Sequence, residues 1–269
     1  MMSLNHKAEI IHGKRQIFTD MVIAAHHDDI EIMCPQGIVK GYQSDKFGLV
    51  AVVATDGSGS PRAGEYASLS DEQMKGVRRL EQIEAAALGD YSELVLLNHS
   101  SADIKDEKIR AAEDDIFALL SRYRPQTVYI HNLADKHPTH IAVAKRCIKA
   151  LRRLPKDARP NKLYGCEVWR GLDWFSDEEK VVFDISGHNK FLKDLLSVFR
   201  SQVAGGKRYD LAAEGRWLAN ATYAKSHSVD KYSLASYAMD LTPLIQDDAL
   251  DPKEFILDKI RLFSDEILL

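Results

Sequence analysis

Two clusters of histidine and aspartate side chains could together bind a divalent metal ion. The first cluster is residues 26–29 (HHDD) and the second is residues 135–140 (DKHPTH). A histidine and an aspartate three residues apart can face one point, and a second histidine can complete the set. His26, Asp29 and His140 would then bind zinc and leave one coordination position open for water. The sequence therefore predicts a catalytic metal site for Zn²⁺ or another divalent ion.

Two further side chains in these clusters are predicted to move protons. A bound divalent ion lowers the pKa of its water to about 7, and a spare carboxylate alongside can accept the proton. Asp28 is that spare carboxylate. His137, on the other side of the same loop as His140, could as an imidazolium stabilise an oxyanion and then protonate a leaving amine. The pattern predicts hydrolytic chemistry.

The elements that must position these clusters alternate between strand and helix. Apolar, β-rich runs followed by helical patterns are typical of an α/β fold with a mostly parallel sheet flanked by helices. The clusters follow the first and fourth predicted strands, where open α/β sheets bind their ligands. Strands are predicted at residues 21–25, 49–55, 94–97, 127–131, 163–169 and 181–185. Helices are predicted at residues 30–42, 70–88, 106–123, 141–154, 189–200 and 209–223, with a short helix within 247–269.

Length and composition favour one domain without nucleic-acid or membrane partners. The 269 residues, 45% of them hydrophobic, can form a single α/β domain over 1–269 that becomes less regular after about residue 155. The net charge is -4 and no basic block interleaves with aromatic residues, so nucleic acid is not an expected partner. No run reaches the roughly 18 apolar residues of a membrane span, and residues 1–16 lack the apolar core of a signal peptide. We expect a cytoplasmic protein.

The three cysteines do not suggest a disulfide framework. Cys34, Cys147 and Cys166 are odd in number, far apart and outside any CxxC pair. We expect reduced thiols in the core.

The motifs around both clusters resemble those of a known family. Residues 25–31 (AHHDDIE) resemble the AHPDD(x)E motif of the PIG-L/LmbE-like family of zinc-dependent N-acetylglucosaminyl deacetylases. Residues 55–57 (TDG), 78–89 (RRLEQIEAAALG) and 135–140 resemble further family motifs in the same order. The resemblance covers roughly residues 19–152, about half the chain.

This resemblance implies a Rossmann-like fold and a role for each residue of the two clusters. His26, Asp29 and His140 match the family's metal ligands. Asp28 matches the general base, and His137 matches the electrophilic histidine.

Two residues outside the clusters are candidate substrate contacts. Arg78 matches a family arginine that reaches the substrate's hydroxyl groups, although a solvated position on its helix is the alternative. Asp56, in the TDG turn, is either a contact to the substrate or to the site's residues, or a plain turn-forming residue.

Two departures from the family pattern affect the site. His27 stands where the family usually has proline, so the turn loses a fixed φ and gains a possible extra donor or ligand. Thr139 replaces an aspartate that in relatives would orient and charge-stabilise the electrophilic histidine. The imidazolium of His137 is then less favoured unless another carboxylate, such as Asp135, takes that place.

The resemblance implies removal of an acetyl group from an N-acetylated amino sugar, a small-molecule partner. A zinc-dependent amidase acting on a non-sugar acylated amine is the nearest alternative. A catalytically silent module that binds metal or carbohydrate is another, and homo-oligomerisation stays open. A dinucleotide-binding protein is disfavoured, because the glycine fingerprint is missing.

Overall fold

An eight-stranded sheet forms the centre of the computed structural model, which describes residues 4–204 and 206–267. The strand order is β1-β4-β3-β2-β5-β6-β8-β7. The five strands from β4 to β6 are parallel, whereas β1 and β8 are antiparallel to their neighbours. The prediction of a mostly parallel sheet is thus confirmed. The strands are β1 (Glu9–His12), β2 (Asp20–Ala24), β3 (Leu49–Thr55), β4 (Glu93–His99), β5 (Thr127–His131), β6 (Lys162–Cys166), β7 (Lys180–Asp184) and β8 (Ala235–Asp240).

The helices of the described ranges cover both faces of this sheet. None of them is long and apolar enough to cross a membrane. They are α1 (Asp29–Met33), α2 (Pro35–Gly41), α3 (Asp71–Leu88), α4 (Ser101–Lys105), α5 (Ala111–Tyr123), α6 (Pro138–Arg153), α7 (Asn189–Ser197), α8 (Arg200–Val203), α9 (Tyr209–Tyr223), α10 (Pro243–Gln246) and α11 (Pro252–Ile267).

Alternation along β2 divides the core into two layers. Every residue of this central strand is buried. Met21 and Ile23 belong to a core shared with α5 and α6, whereas Val22 and Ala24 belong to the opposite core, shared with α2 and α7. Successive side chains of a strand point to opposite faces, so one apolar strand serves both helical layers. All three cysteines are buried free thiols, as predicted.

The order of the strands brings the two polar clusters together. From β2 the chain moves outward through β3 and β4, then returns to β5 on the other side of β2. The connections after β2 and β5 therefore diverge to opposite faces and leave a crevice at the strands' carboxyl ends. Residues 26–29 follow β2 and residues 135–140 follow β5, so both line this crevice.

Two predicted helices are interrupted. The predicted helix over residues 30–42 is α1 and α2, because Pro35 lacks a backbone N–H and starts a new helix. The predicted helix over residues 106–123 begins only at α5, because Asp106 forms a turn by accepting a hydrogen bond from the backbone of Lys108.

The sequence prediction missed two antiparallel strands and shortened the last helix. β1 is four residues long and only half-buried, and β8 lies in a stretch without a clear pattern. Both are held by pairing with distant strands. The last helix, α11, has 16 residues, and Asp251 accepts hydrogen bonds from the backbone N–H groups of Lys253 and Glu254 at its start. The end of the predicted C-terminal segment, residues 268–269, lies outside the described residues.

Asp115 on α5 joins the N-terminal segment to the sheet. Its carboxylate accepts hydrogen bonds from the Asn5 backbone at 2.9 Å and side chain at 2.5 Å, and lies 2.7 Å from Nε2 of His99. Burial alone would raise its pKa, but His99 and Asn5 outweigh burial and hold it below its ordinary value. The carboxylate therefore contributes stability in its charged form.

We predict that Asp115→Asn lowers the free energy of unfolding by about 2 kcal/mol at pH 7, the size expected when a buried charged hydrogen-bond partner is lost. Because the folded-state pKa of Asp115 is lowered, its contribution is present above the unfolded pKa of about 4 and is lost as the pH falls through the folded value. Urea unfolding at pH 7 and pH 3.5 tests both points. The matched control is Asp114→Asn, a half-exposed neighbour paired with Arg153, which should cost under about 1 kcal/mol. Equal losses in the two variants would contradict the assignment.

Candidate functional site

The three predicted metal ligands converge on one point. Nδ1 of His26 lies 3.1 Å from Oδ2 of Asp29 and 3.1 Å from Nε2 of His140, and the last two atoms are 3.2 Å apart. Ligand bonds of 2.0 to 2.1 Å in a tetrahedron put neighbouring donor atoms about 3.3 Å apart. These two imidazole nitrogens and one carboxylate oxygen therefore fit a divalent ion such as zinc.

Local backbone structure fixes these ligands. Asp29 is the first residue of α1, and its Oδ2 also accepts the backbone N–H of His26 at 2.8 Å. His140 lies in the first turn of α6, which Pro138 starts with the φ that a helix requires. Although burial opposes the charged form of His140, Asp29 and Asp135 outweigh burial and raise its pKa to about 9.

His131, at the end of β5, is a residue of the site that the sequence analysis missed. It is fully buried, and its ring stacks on His140 with centroids 3.9 Å apart. Its Nε2 lies 3.6 Å from Asp29 but accepts the backbone N–H of Ala25 at 2.8 Å. The lone pair of that nitrogen is thus occupied, so His131 supports His140 instead of offering a further ligand. The only sequence feature that could have indicated His131 was its position at the end of a predicted strand beside the crevice.

Asp135 holds a metal ligand instead of the electrophilic histidine. Its Oδ2 lies 3.4 Å from Nδ1 of His140, and its Oδ1 accepts only the backbone N–H of His137, at 2.9 Å. Carboxylates in this position fix the tautomer and orientation of a metal-binding imidazole. Asp135 therefore does not pair with the ring of His137 as an aspartate at position 139 would, although its charge still acts to raise the pKa of that ring.

His137 lines the cavity within a cluster of rings. Its ring centroid is 4.5 Å from that of His140 and 4.9 Å from that of His26, and Trp169 lies 6.3 Å away on a nearly parallel plane. Burial, followed by the effect of His140 and His26, lowers the pKa of His137 to about 4. This lowered pKa disfavours the imidazolium form of the ring. Its Nδ1 is buried without a hydrogen-bond partner among the described residues.

Asp28, the predicted general base, is held in an unusual backbone conformation. Its φ is 82°, a region that non-glycine residues rarely adopt. The backbone N–H donates to Oε1 of Gln82 at 3.1 Å, and Oδ2 accepts from Nη2 of Arg78 at 2.7 Å. Burial raises the pKa of Asp28 to about 6 against the opposing effect of Arg78. The strained turn points one carboxylate away from the metal ligands while its neighbour joins them.

Arg78 is buried, with 1% of its side chain exposed, so the alternative of a solvated position is excluded. Nη2 donates to the carbonyl of His27 at 2.5 Å as well as to Asp28, and Nη1 donates to Glu81 at 2.9 Å. Glu81 in turn accepts from the backbone and hydroxyl of Ser201. Arg78 therefore clamps the turn that carries Asp28. It also lines the cavity, and its contact with substrate hydroxyls stays a prediction.

Glu31, in the first turn of α1, supports the site from behind. It is buried, and its Oε1 accepts from the Tyr91 hydroxyl at 2.7 Å and from Nε2 of Gln82 at 2.8 Å. The same Gln82 accepts the backbone N–H of Asp28. Burial raises the pKa of Glu31 to about 8. This chain of hydrogen bonds supports the backbone of the predicted base, and sequence alone could not reveal it because Tyr91 is 60 residues away.

Two other sequence candidates lie beside the site without reaching its ligands. Asp56 forms a turn with the backbone N–H of Ser58 and an ion pair with Lys75, and it is not among the residues that line the cavity. It forms the predicted turn, and its contact with a substrate stays a prediction. His27 is 1% exposed and packs near Gly57, and it belongs to none of the groups of described residues that could hold a metal.

A cavity of about 590 Å³ opens over these residues. Its floor carries the two aspartates and two histidines of the clusters, and its wall includes residues of the loop that follows β3 and of the segment 202–216. This volume lies in the range of small-molecule sites. The lining includes His26, Asp28, Asp29, His137, Trp169 and Tyr209.

Comparison with solved structures finds the same fold in several proteins. The N,N'-diacetylchitobiose deacetylase from Pyrococcus horikoshii has a TM-score of 0.66 and 17% identity, covering 86% of each chain. The conserved protein TT1542 from Thermus thermophilus has a TM-score of 0.63 and 19% identity, over 83% of this chain and 94% of that one. The 4-carboxy-2-hydroxymuconate hydratase GalB from Pseudomonas putida KT2440 has a TM-score of 0.61 and 18% identity, over 83% and 96%.

Comparison with sequence families agrees with the motifs. No curated protein sequence matches the chain significantly. The PIG-L family, described as GlcNAc-PI de-N-acetylase, matches residues 21–151, which include both polar clusters and Arg78. With that match and the shared fold, the resemblance to the PIG-L family is confirmed over residues 21–151.

Proposed function

We propose that this protein is a zinc-dependent hydrolase that removes the acetyl group from the amine of an N-acetylated amino sugar. The observation that carries the proposal is the position of Asp28, which lines the cavity beside the three convergent ligands without being one of them. A purely structural metal site has no use for such a carboxylate. The family's GlcNAc-PI de-N-acetylase description and the chitobiose deacetylase of the same fold support an acetylated amino sugar as substrate.

The residues present fit a resident divalent ion. His26, Asp29 and His140 would hold it, with Asp135 and His131 fixing the ring of His140. When bound, the ion supplies Lewis-acid activation of water and of the amide carbonyl. Two imidazoles and one carboxylate are a ligand set found in catalytic zinc sites.

The chain's own residues account for the movement of protons. Asp28 accepts a proton from the attacking water, and Arg78 holds its carboxylate in place. The ring of His137 lines the cavity and is available to stabilise the oxyanion. The proton held by Asp28 is then available to the departing amine.

The fold alone does not select this reaction, since a hydratase shares it. A zinc-dependent amidase on a non-sugar amine would use the same residues and differ only in what fills the cavity. Acetate release from acetylated amino sugars, measured beside other acetylated amines, separates these activities. A silent binding module would release no acetate from any of them.

Our next prediction concerns metal content. Purified protein should contain close to one divalent ion per chain, and His140→Ala should lose most of it, because a third of the ligand set is removed. Metal analysis by mass spectrometry measures this. The control is His99→Ala, a buried histidine paired with Asp115 away from the site, which should retain the metal. Equal metal content in wild type and His140→Ala would overturn the ligand assignment.

Substitutions of the two adjacent aspartates should have different effects, loss of turnover for Asp28 and loss of the metal ion for Asp29. Asp28→Asn should keep the metal and lose about two to four orders of magnitude in kcat, the typical effect of removing a general base. Asn also tolerates the positive φ of this position. Asp29→Ala should lose the metal itself. Metal analysis and acetate release on both variants make the comparison, and wild-type turnover by Asp28→Asn would show that Asp28 is not the base.

The variant Arg78→Lys tests whether Arg78 positions Asp28 or instead contacts the substrate. A lysine keeps the charge but cannot reproduce the fork that joins His27, Asp28 and Glu81. If Arg78 acts through Asp28, kcat should fall at least about tenfold with little change in KM. If it only binds the substrate, KM should rise and kcat should stay. Arg79→Lys, a partly exposed neighbour paired with Glu9, is the matched control.

A further inference from the structure

The cavity lining has more cationic than acidic residues, whereas the chain as a whole has more acidic ones. The protein carries a net charge of -4, yet Asp28 and Asp29 on the floor are the only acidic residues of the described lining. Both already have cationic or imidazole partners. The lining also contains four cationic side chains, on or near the wall: Arg78, Lys105, Lys207 and Arg216.

Two of these four cations are already engaged. Arg78 is bound to Asp28 and Glu81. Arg216 donates to the backbone carbonyl of Val168, and its charge acts on the buried carboxyl of Glu167. Lys105 and Lys207, by contrast, form no ion pair with any residue in the described ranges. Their charges are available to a ligand in the cavity.

Lys207 is held close to the reacting centre. Its Nζ lies 5.2 Å from the centre of the Trp169 ring, a distance at which the ring face attracts a cation. Trp169 is in turn the aromatic neighbour of His137. Trp169 thus connects Lys207 to the part of the cavity lining that contains His137.

Lys105 extends the positive surface along another part of the rim. It is the last residue of α4 and lines both the main cavity and a second one of about 250 Å³. Lys145 and Lys149 line that second cavity, where Glu107 is the only acidic residue of the described lining. The mouth of the site is thus positive over more than one element.

We propose that Lys105 and Lys207 form a subsite for an anionic group, phosphate or carboxylate, carried by the acetylated substrate. The proposal rests on the proposed deacetylase function and narrows its substrate class from neutral amino sugars to anionic ones. Unpaired cations beside a cavity raise the local concentration of anionic ligands and fix their orientation.

The first measurement compares substrates in the metal-loaded wild-type protein. The probes are N-acetylglucosamine, N-acetylglucosamine 6-phosphate and N-acetylmuramic acid, which carry no charge, a phosphate and a carboxylate. At least one charged substrate should exceed the neutral one in kcat/KM by roughly tenfold at low salt, and the preference should shrink at high ionic strength. Which charged substrate is preferred identifies the anionic group. Equal kcat/KM values for all three would overturn the subsite.

The second measurement removes the cations. Lys105→Gln/Lys207→Gln should reduce the preference for the charged substrate about three- to tenfold, the effect of losing two partly exposed ion contacts. The control is Lys46→Gln/Lys190→Gln, which removes the same charge outside the cavity lining and should keep the preference. An unchanged preference in the cavity variant would contradict the proposal.

A binding measurement separates this proposal from the proposed function. Calorimetric titration of the same three compounds into Asp28→Asn reads affinity without turnover. If no compound is hydrolysed by wild type but the charged one binds more tightly and depends on the two lysines, the deacetylase proposal fails and the subsite stands. If tighter binding of the charged compound is lost with the metal but not with the lysines, the anion binds the metal and the subsite is wrong.

Discussion

The site depends on giving two adjacent buried carboxylates different charged partners, so that each can take a different proposed role. Asp28 and Asp29 follow one another in the chain, and both are almost fully buried, so their charges would repel strongly without separate partners. Arg78 neutralises Asp28, while His26 and His140 neutralise Asp29 and hold its pKa well below the ordinary value despite burial. The positive φ of Asp28 makes this possible, because it turns neighbouring side chains toward different partners. The proposed metal-binding carboxylate and the proposed proton acceptor can then share a single turn.

Much of the fold, and the meeting of the two polar clusters, could be predicted from sequence because both depend on local patterns. β5 and α9 have the predicted bounds, and the capping box of Ser70 and Gln73 starts α3 where its polar residues indicated. The two clusters were predicted to meet because parallel strands share one carboxyl edge. Strands β1 and β8 could not be predicted in this way, since pairing with distant strands stabilises them and their own sequences are short or irregular.

The partners of the site residues were beyond the reach of the sequence. The motif placed Asp28 and Arg78 in the same site but not in direct contact, and it gave no sign that Asp135 would face His140 or that His131 would lie behind it. These contacts depend on side-chain directions in the folded core, where residues far apart in the chain become neighbours. The spacing of the motifs could identify which residues belong to the site. Only their packing in the folded chain could show which side chains contact one another.

The position of β8 between β6 and β7 has a consequence for the order in which the protein can fold as it leaves the ribosome. The parallel strands from β2 to β6 and the three proposed ligands are all synthesised by residue 166, so the proposed metal site can assemble while the rest of the chain is still being synthesised. β7 must wait for β8, about 50 residues later, before it can join the sheet. The segment between them supplies Lys207, Tyr209 and Arg216 to the cavity wall. The proposed metal site can thus form before the cavity wall is complete, and a nascent chain at that stage would expose the proposed ligands to the cell's free metal ions.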